Sequence, residues 1–440
     1  MTYQDTLDFL YNQFPMFHRE GSAAYKPGLN TVCRLSAAFD NPHKSLRTIH
    51  VGGTNGKGST AHSLAAVLQT AGYKTGLFTS PHIIDFRERI RIDGEMISKS
   101  EVIEFIESYR RMNLDISPSF FELTTIMAFD AFVRHNVDIA VIEVGLGGRL
   151  DSTNIINPML SVITNISYDH TSLLGNTLVE IAGEKAGIIK HGIPVVIGES
   201  EREVRQVFSD AAQKSNSQII FADDSDEVTD WCHARESIKY LTRSFGEISS
   251  DLTGDYQPAN MRTILEAIKI LRRTSALSLP DAAVTHGLSK VGELTHLAGR
   301  WMKIADMPLT ICDTGHNPGG WTHLSRQIDS FPGKKHIVIG FVNDKDVTAV
   351  MNMLKSVKNA SFYFTRPSTP RALPAENLRE IANRAGLSGD VYTDVNSAYK
   401  KALTDIIDKS SEMIYVGGST FVVSDLLSGN SLDFNKHLLG

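Results

Sequence analysis

The sequence predicts an α/β protein: a P-loop-containing, doubly wound, mostly parallel sheet followed by a smaller Rossmann-like C-terminal domain. Three observations carry this. An apolar strand runs into the glycine-dense turn Gly52-Gly53-Thr54-Asn55-Gly56-Lys57-Gly58-Ser59-Thr60. Short, nearly continuous apolar runs then recur, each bounded by Asn, Gly or Pro, as strands of a buried parallel sheet do. A second alternation of strand and helix patterns begins past residue 297.

Along the chain, a helical N-terminal segment, capping or substrate-facing, precedes the strand that ends at Gly52. After the loop, Leu64, Val67, Leu68 and Ala71 fall at i, i+3, i+4 and i+7, which predicts an amphipathic helix. Strands follow at 138–144, 160–166 and 193–197. From 217 to 256 short apolar runs alternate with polar stretches, and the acidic stretch 222–227 reads as a solvated loop or hairpin. A helix resumes at Pro258 with Met261, Ile264, Leu265 and Ile268 on one face. The stretch 292–299 reads as a joint, giving a first domain over 1–296 and a second over 297–440, with strands at 309–312, 336–341, 361–364, 391–393 and 413–416.

At 440 residues the chain is too long for one ordinary core, and its 42% hydrophobic and 21% charged residues are those of a globular protein. A net charge of −6 provides no general attraction to nucleic acid or an anionic membrane, so an anionic ligand must be held by local cations. Cys33, Cys232 and Cys312 have no metal-knuckle or disulfide spacing. With no basic leader, no apolar span and a reducing compartment indicated, a cytoplasmic protein is expected, with no nucleic-acid or membrane partner. A monomer is expected.

The glycine loop is a phosphate cradle. Glycines let backbone N–H groups face phosphate oxygens, Lys57 adds a charge, and Ser59 or Thr60 can hold Mg²⁺ at the helix start. Its spacing departs from the common P-loop pattern, because three residues separate Gly52 from Gly56 and Gly58 intervenes between Lys57 and Ser59. Glu143, at the end of a Val/Ile strand, is costly there unless paired or metal-bound, which makes it a metal-ligand candidate. Asp169-His170 follows the next strand, and His170 is a candidate for a second metal. Lys185, among small helical residues, reads by default as a solvated surface lysine. In the second domain Asp313 and His316 flank a glycine turn fit to embrace a nucleotide, with Asn317 as helix N-cap and Pro318 at the first helical position. Arg300 lies just past the joint.

These residues together resemble the folylpolyglutamate synthase family, including its bifunctional dihydrofolate synthase form, within the Mur-ligase superfamily. The resemblance spans nearly the whole chain: Gly53–Ser59, Ser80-Pro81-His82 with Arg87-Glu88-Arg89, Glu143–Asn154, Asp169-His170, Glu184–Gly187, Gln257 with Asn260, Gly299-Arg300 and Asp313–Pro318. It implies ATP bound at Thr54, Asn55, Gly56, Lys57, Gly58, Ser59 and Thr60, and completed by Asn260, Arg300, Asp313 and His316. It also implies one Mg²⁺ on Ser59 and Glu143, a second on Glu143 and His170, a carbamylated Lys185, and a folate-side loop at Ser80, Pro81, His82 and Arg87. Lys57, Lys185, His170 and Arg300 would be the catalytic set. Two departures from the family stand out: Gly53 where alanine is frequent, and Thr314-Gly315 where Gly-Ala is common.

The implied reaction joins L-glutamate to dihydropteroate or a folate: the acid attacks the γ-phosphate of ATP, and the amine then attacks the acyl phosphate. Two domains closing on the site would keep water from that intermediate. A monofunctional folylpolyglutamate synthase is the nearest alternative; a ligase of cell-wall precursors fits the 80–89 segment less well. A P-loop switch ATPase is the alternative from a different class, and a degenerate binding protein conflicts with a full set of polar site residues. The ligase reading expects ATP turnover to be silent without acid and glutamate; a malachite-green assay showing strong basal hydrolysis unaffected by either would favour the switch.

Overall fold

The computed structural model describes residues 1–16, 20–21, 28–274 and 277–429. Two compact units result. The first comprises Met1–His82, Phe86–Asp251 and Gln257–Leu297; the second comprises Ile83–Asp85, Leu252–Tyr256 and the chain from Ala298.

The first unit opens with helices α1 (Tyr3–Gln13) and α2 (Asn30–Ala38), then strand β1 (Thr48–Gly52) and helix α3 (Lys57–Thr70). Strands β2 (Thr75–Phe78), β3 (Ile90–Ile92) and β4 (Glu95–Met96) follow, then α4 (Lys99–Met112), α5 (Phe120–Arg134) and β5 (Ile139–Glu143). Next come β6 (Leu160–Asn165), the one-turn α6 (Thr171–Leu174), α7 (Leu178–Ala186), β7 (Val195–Glu199), α8 (Arg202–Lys214) and β8 (Ile219–Phe221). These strands form an eight-stranded sheet in the order β4-β3-β2-β5-β1-β6-β7-β8, parallel from β2 to β8, with β3 and β4 antiparallel at one edge.

Every residue of β1 and β5 is buried, as expected of parallel strands covered on both faces. One face packs under α1, α2, α4 and α5 through residues such as Leu10, Leu35, Phe105 and Phe129. The opposite face packs under α3 and the later helices α9 (Gln257–Thr274) and α10 (Asp281–Ser289). Between β8 and α9 a separate three-stranded antiparallel sheet is built from β9 (Val228–His233), β10 (Ile238–Thr242) and β11 (Gly246–Ser250). The short helix α11 (Val291–Thr295) ends the unit.

Two expectations are corrected here. The helix after the loop is not amphipathic: all residues from Gly58 to Leu68 are buried, because α9 and α10 cover the side that the periodicity leaves open to solvent. The acidic stretch 222–227 is not wholly solvated either. Glu227 is buried and accepts from the Ser244 backbone and hydroxyl, in the turn between β10 and β11, and from Lys269 of α9.

In the second unit, β12 (Met302–Asp306), β13 (Leu309–Asp313), α12 (Pro318–Ser330), β14 (Lys334–Ile339), α13 (Val347–Leu354) and β15 (Ala360–Phe364) come first. They are followed by α14 (Ala375–Arg384), β16 (Gly389–Val391), α15 (Val395–Asp405), β17 (Glu412–Gly417) and α16 (Thr420–Gly429). The six strands run in the order β12-β13-β17-β14-β15-β16, all parallel except β12. Helices α12, α13 and α14 pack on one face around Trp321 and Phe341, and α15 and α16 on the other around Val395 and Val423. This is a doubly wound sheet with one antiparallel edge strand.

The sheet of the first unit reverses direction at β1: β2 and β5 lie to one side and β6 to the other, so the loop after β1 opens at the switch point where such sheets hold ligands. Gly53 turns that loop with φ of 133°, and a Cβ on it would stand 1.9 Å from Thr164 Oγ1. An alanine frequent in the family therefore cannot belong at Gly53. It fits at Gly52, where a Cβ would come to 3.0 Å of Ile188 Cδ1, the flexible end of a side chain, and otherwise make ordinary contacts with Val144 and the Val162 carbonyl. Gly53→Ala is expected to cost about 1–3 kcal/mol and Gly52→Ala less than about 1 kcal/mol. Urea midpoints of the two variants check this, and equal losses would contradict the assignment.

Candidate active site

The loop after β1 is held from below by polar groups of β6 and the turn beyond it. The Thr54 N–H donates to the Asn165 carbonyl at 2.9 Å, and the Asn55 N–H donates to Asn165 Oδ1 at 2.8 Å. Thr54 Oγ1 and the Ser167 backbone bond reciprocally, at 3.2 and 3.1 Å. Thr164 Oγ1 donates to the carbonyls of Gly52 and Asn55. The amides of Thr54 and Asn55 are thus spent on the scaffold. Those suited to an anion belong to the first turn of α3, where a helix leaves N–H groups without intrahelical acceptors.

A second support comes from α9. Gln257 Nε2 donates to the Ser59 hydroxyl at 3.2 Å, and Asn260 Nδ2 donates to Gln257 Oε1 at 2.8 Å. Asn260 also stands so close to Gly56, which has φ of 83°, that a Cβ there would meet its Oδ1 at 2.2 Å. Asn260 therefore shapes the cradle, and Ser59 is oriented by a buried amide.

Two lysines meet at this loop. Lys57 Nζ donates to the carbonyls of Gly53 and Thr54, at 3.2 and 3.0 Å. Lys185 Nζ donates to the same Gly53 carbonyl at 2.9 Å. Lys185 is only 4% exposed, so its reading as a solvated surface lysine is corrected. Burial first and the neighbouring Lys57 second bring its pKa from 10.5 down to about 7, against opposing pulls from Asp169 and Asp151. The sequence pattern missed this because α7 turns its Lys185 side inward, onto the glycine turn at 145–148. There a Cβ on Gly148 would lie 2.8 Å from the Glu184 carbonyl and 3.0 Å from Lys185 Cα.

That turn is pinned by Asp151, whose carboxylate accepts from the Leu146 N–H at 2.8 Å and from the Thr153 N–H at 3.0 Å. Thr153 Oγ1 in turn lies 2.9 Å from Nε2 of His50 on β1. The buried His50 is driven down to a pKa of about 3, chiefly by desolvation, and stays neutral. Glu143 ends β5 and is buried, with Oε2 accepting from the Ser80 N–H at 3.0 Å. The carboxylate expected to hold a metal is thus also tied to the loop after β2 that carries Ser80, Pro81 and His82. Arg87, in the turn Phe86–Arg89, has its guanidinium 5.8 Å from the Tyr3 ring and its Nη1 3.5 Å from the Ile97 carbonyl.

His170 adopts a left-handed conformation as N-cap of α6, with Nε2 3.8 Å from Asp169 Oδ1. Among the described residues no three His, Cys, Asp or Glu side chains gather as a metal centre. Ser59 and Glu143 are hard oxygen donors of the kind Mg²⁺ takes when phosphate and water supply the rest, so they fit that ion. The His170 imidazole suits a borderline metal better than Mg²⁺.

In the second unit Asp313 is buried at the end of β13. It accepts from Tyr256 Oη at 2.8 Å, the Trp301 N–H at 2.6 Å and the Gly315 N–H at 2.7 Å. Burial raises its pKa against the pull of Arg300. Arg300 Nη1 donates to the Gly299 carbonyl at 3.1 Å and to Thr314 Oγ1, so the Thr314 departure adds a hydroxyl that anchors the arginine. His316 Nδ1 lies 3.0 Å from the Thr314 carbonyl and must donate to it. Asn317 caps α12 by accepting from the Gly320 N–H at 2.9 Å, with Pro318 at its first turn. Tyr256, Thr164 and Ser167 were not singled out in the sequence; isolated polar residues beside apolar runs carry no motif.

The Mur ligase middle domain family matches residues 51–265, and the Mur ligase glutamate ligase domain family matches residues 299–420. The folylpolyglutamate synthase of Lacticaseibacillus casei is 32% identical over 98% of this chain and 100% of its own. The dihydrofolate synthase/folylpolyglutamate synthase of Bacillus subtilis is 33% identical over 96% of this chain and 98% of its own. A bifunctional folylpolyglutamate synthase/dihydrofolate synthase solved with Mn, AMPPNP and L-glutamate bound superimposes with a TM-score of 0.81 at 28% identity, over 98% of each chain. Near-complete coverage, a P-loop braced at the switch point and a second doubly wound unit all agree: the chain belongs to the folylpolyglutamate synthase family of Mur ligases, as an ATP-dependent enzyme that ligates glutamate in folate metabolism.

Proposed function

We propose that this chain joins the amine of L-glutamate to the carboxylate of dihydropteroate and of reduced folates by way of an acyl phosphate. The single observation that carries the site assignment is the convergence of Lys57 and Lys185 on the Gly53 carbonyl, at the mouth of a loop braced by Thr164, Asn165 and Gln257. Lys57 exchanges its two carbonyl partners for phosphate oxygens when ATP enters, and the first-turn amides of α3 hold the same phosphates. On the family resemblance, Arg300, Asp313 and His316 are taken as further nucleotide-binding residues, within a C-terminal domain over 297–440.

Ser59 and Glu143 would hold one Mg²⁺, and Glu143 with His170 would hold the second Mg²⁺ that the resemblance implies. A cation there neutralises charge on the transferring phosphoryl oxygens. The Ser80 to His82 loop and Arg87 serve the acid substrate, and the Ser80 amide on Glu143 couples that loop to the metal carboxylate. The enzyme acts as a cytoplasmic monomer. Either acid fits this reading, since the relatives named above, near-equal in identity, include both a folylpolyglutamate synthase and a bifunctional form.

Lys185 becomes a carbamate. An amine with a pKa of about 7 is neutral in about half of the molecules at pH 7, and the lone pair of that form attacks CO₂ to give N–COO⁻ with release of one proton. The cation that now repels Lys57 is thereby replaced by an anion able to face both Lys57 and a metal. Removing CO₂ and bicarbonate should lower the rate, and adding bicarbonate should restore it.

Stability supplies an independent check on this lysine. Its folded pKa lies below its ordinary value, so between about pH 7 and 10.5 the unfolded chain binds more protons and stability rises with pH; below 7 the full penalty is present. Lys185→Met should therefore be more stable than the parent by roughly 1–4 kcal/mol near neutral pH, with the advantage shrinking toward high pH, while ligase activity is lost. Urea unfolding at two pH values measures this, and an advantage that does not change with pH would refute it. The substrate class is tested with purified protein, ATP and radiolabelled glutamate, offering dihydropteroate or tetrahydrofolate in turn. Product is expected from both; none from dihydropteroate would reduce the chain to a monofunctional enzyme.

A further inference from the structure

His50 sits in the middle of β1, just before the strand runs out into the phosphate loop. It is fully buried, and its Nε2 lies 2.9 Å from Thr153 Oγ1, which is itself 2.5 Å from Asp151 Oδ1. Thr153 has a single hydroxyl proton for these two contacts, so the other proton must come from one end of the row. If Asp151 supplied it, Thr153 would donate to Nε2 and the ring proton would be forced onto Nδ1. Among the described residues Nδ1 has no hydrogen-bond partner, and a buried N–H without an acceptor is rarer than a bare buried acceptor. The protons therefore run one way, from His50 Nε2–H to Thr153 and from the Thr153 hydroxyl to the Asp151 carboxylate. Desolvation first and Lys190 second keep a further proton off the ring, at a pKa of about 3, so His50 is a fixed donor.

Asp151 closes the loop 145–154 by accepting from the Leu146 and Thr153 backbone N–H groups as well. That loop grips α7 on both sides of Lys185. The Arg149 N–H donates to the Glu184 carbonyl at 2.7 Å, and Asn154 Nδ2 donates to the carbonyls of Arg149 and Gly187, each at 3.0 Å. Lys185 Nζ in turn donates to the carbonyl of Gly53, the first residue past β1. Both ends of that contact are thus referred to one strand: Gly53 by the chain itself, and Lys185 through the side chain of His50.

We propose that His50 is a positioning residue for Lys185: through Thr153 and Asp151 it hangs the 145–154 loop on the strand that carries the phosphate loop, and so fixes the seat of the Lys185 amine beside the Gly53 carbonyl. This deepens the ligase reading above, in which Lys185 becomes a carbamate, and rests on it. The ring touches no reacting group. Its part is to supply one hydrogen bond whose loss would leave the buried Thr153 oxygen without a donor and free the loop under α7.

The test is hydrogen–deuterium exchange on the full chain without ligands, read over 145–154, where Asp151 protects the Leu146 and Thr153 amides, and over α7. His50→Leu should speed exchange there about tenfold or more, and Thr153→Val should do the same from the other end of the tie. His50→Gln, whose side-chain amide can donate to Thr153 in place of the ring, should stay within about threefold of the parent, as should Thr153→Ser. The double variant His50→Leu/Thr153→Val should exchange no faster than its faster single variant. In glutamate ligation, His50→Leu should need about tenfold or more bicarbonate for its half-maximal rate, and His50→Gln no more than about threefold, with the KM for ATP within about threefold in both. Parent-like exchange over 145–154 in His50→Leu overturns the proposal. So does a Gln variant that matches the Leu variant, or a rise in exchange spread evenly over the first unit, which is what a mere core residue would give. A parent rate indifferent to bicarbonate would overturn the carbamate reading, while exchange over 145–154 and α7 decides the role of His50 by itself.

Discussion

One backbone oxygen organises the first unit's site: the Gly53 carbonyl, on which Lys57 and Lys185 both donate. Two ammonium groups brought to one acceptor repel each other, and one of them is buried. The fold must supply the carbonyl at a fixed point and seal the second lysine from water. Gly53 meets the first requirement with a backbone conformation open to glycine, and α7 meets the second by packing on the glycine turn at 145–148. The outcome is a buried amine whose pKa falls to about 7, chiefly through burial and secondarily through the neighbouring Lys57.

The rigidity of this arrangement follows from how completely the polar groups beneath the loop are partnered. Thr164, Asn165 and Ser167 from the end of β6 bind the loop's own amides and carbonyls, while Gln257 and Asn260 from α9 bind Ser59 and crowd Gly56. Each bond is worth little by itself, but leaving any of these buried groups without a partner would cost more than the bond contributes. The loop therefore has one low-energy path, set by two different elements. The carboxylates work the same way: Asp151 ties down the turn under Lys185, Glu143 ties down Ser80, and in the second unit Asp313 gathers Tyr256, Trp301 and Gly315.

Much of this was legible in the chain. The strands at 138–144, 160–166 and 193–197 match β5, β6 and β7 within two residues, because buried parallel strands advertise themselves as apolar runs. The strands of the second unit were legible for the same reason. The antiparallel edges were not: β3, β4 and β12 are short, carry charged residues, and gain strand character only from a neighbour's hydrogen bonds. Periodicity likewise misjudged α3, since Ser, Thr, His and Ala on its outer side are compatible with either solvent or a packed helix. Glu227 was taken for a solvated acid because its partners, Ser244 and Lys269, lie far along the chain.

What the sequence by itself determined is the inventory: a glycine loop with a lysine and hydroxyls, a carboxylate at the end of an apolar strand, and turns whose residue types suit phosphate and metal. Glycine permissiveness, proton affinity and donor type are properties of a residue and travel with it. What only the tertiary structure decided is which of those groups are dry and which partner each one has. Lys185 reads as an ordinary lysine until α7 buries it, Gly53 and Gly52 are interchangeable until Thr164 comes within reach of one of them, and His50 has two possible tautomers until Thr153 accepts from its Nε2. Desolvation and hydrogen-bond geometry arise between elements distant in sequence, so they exist only once the sheet and its helices have closed around the site.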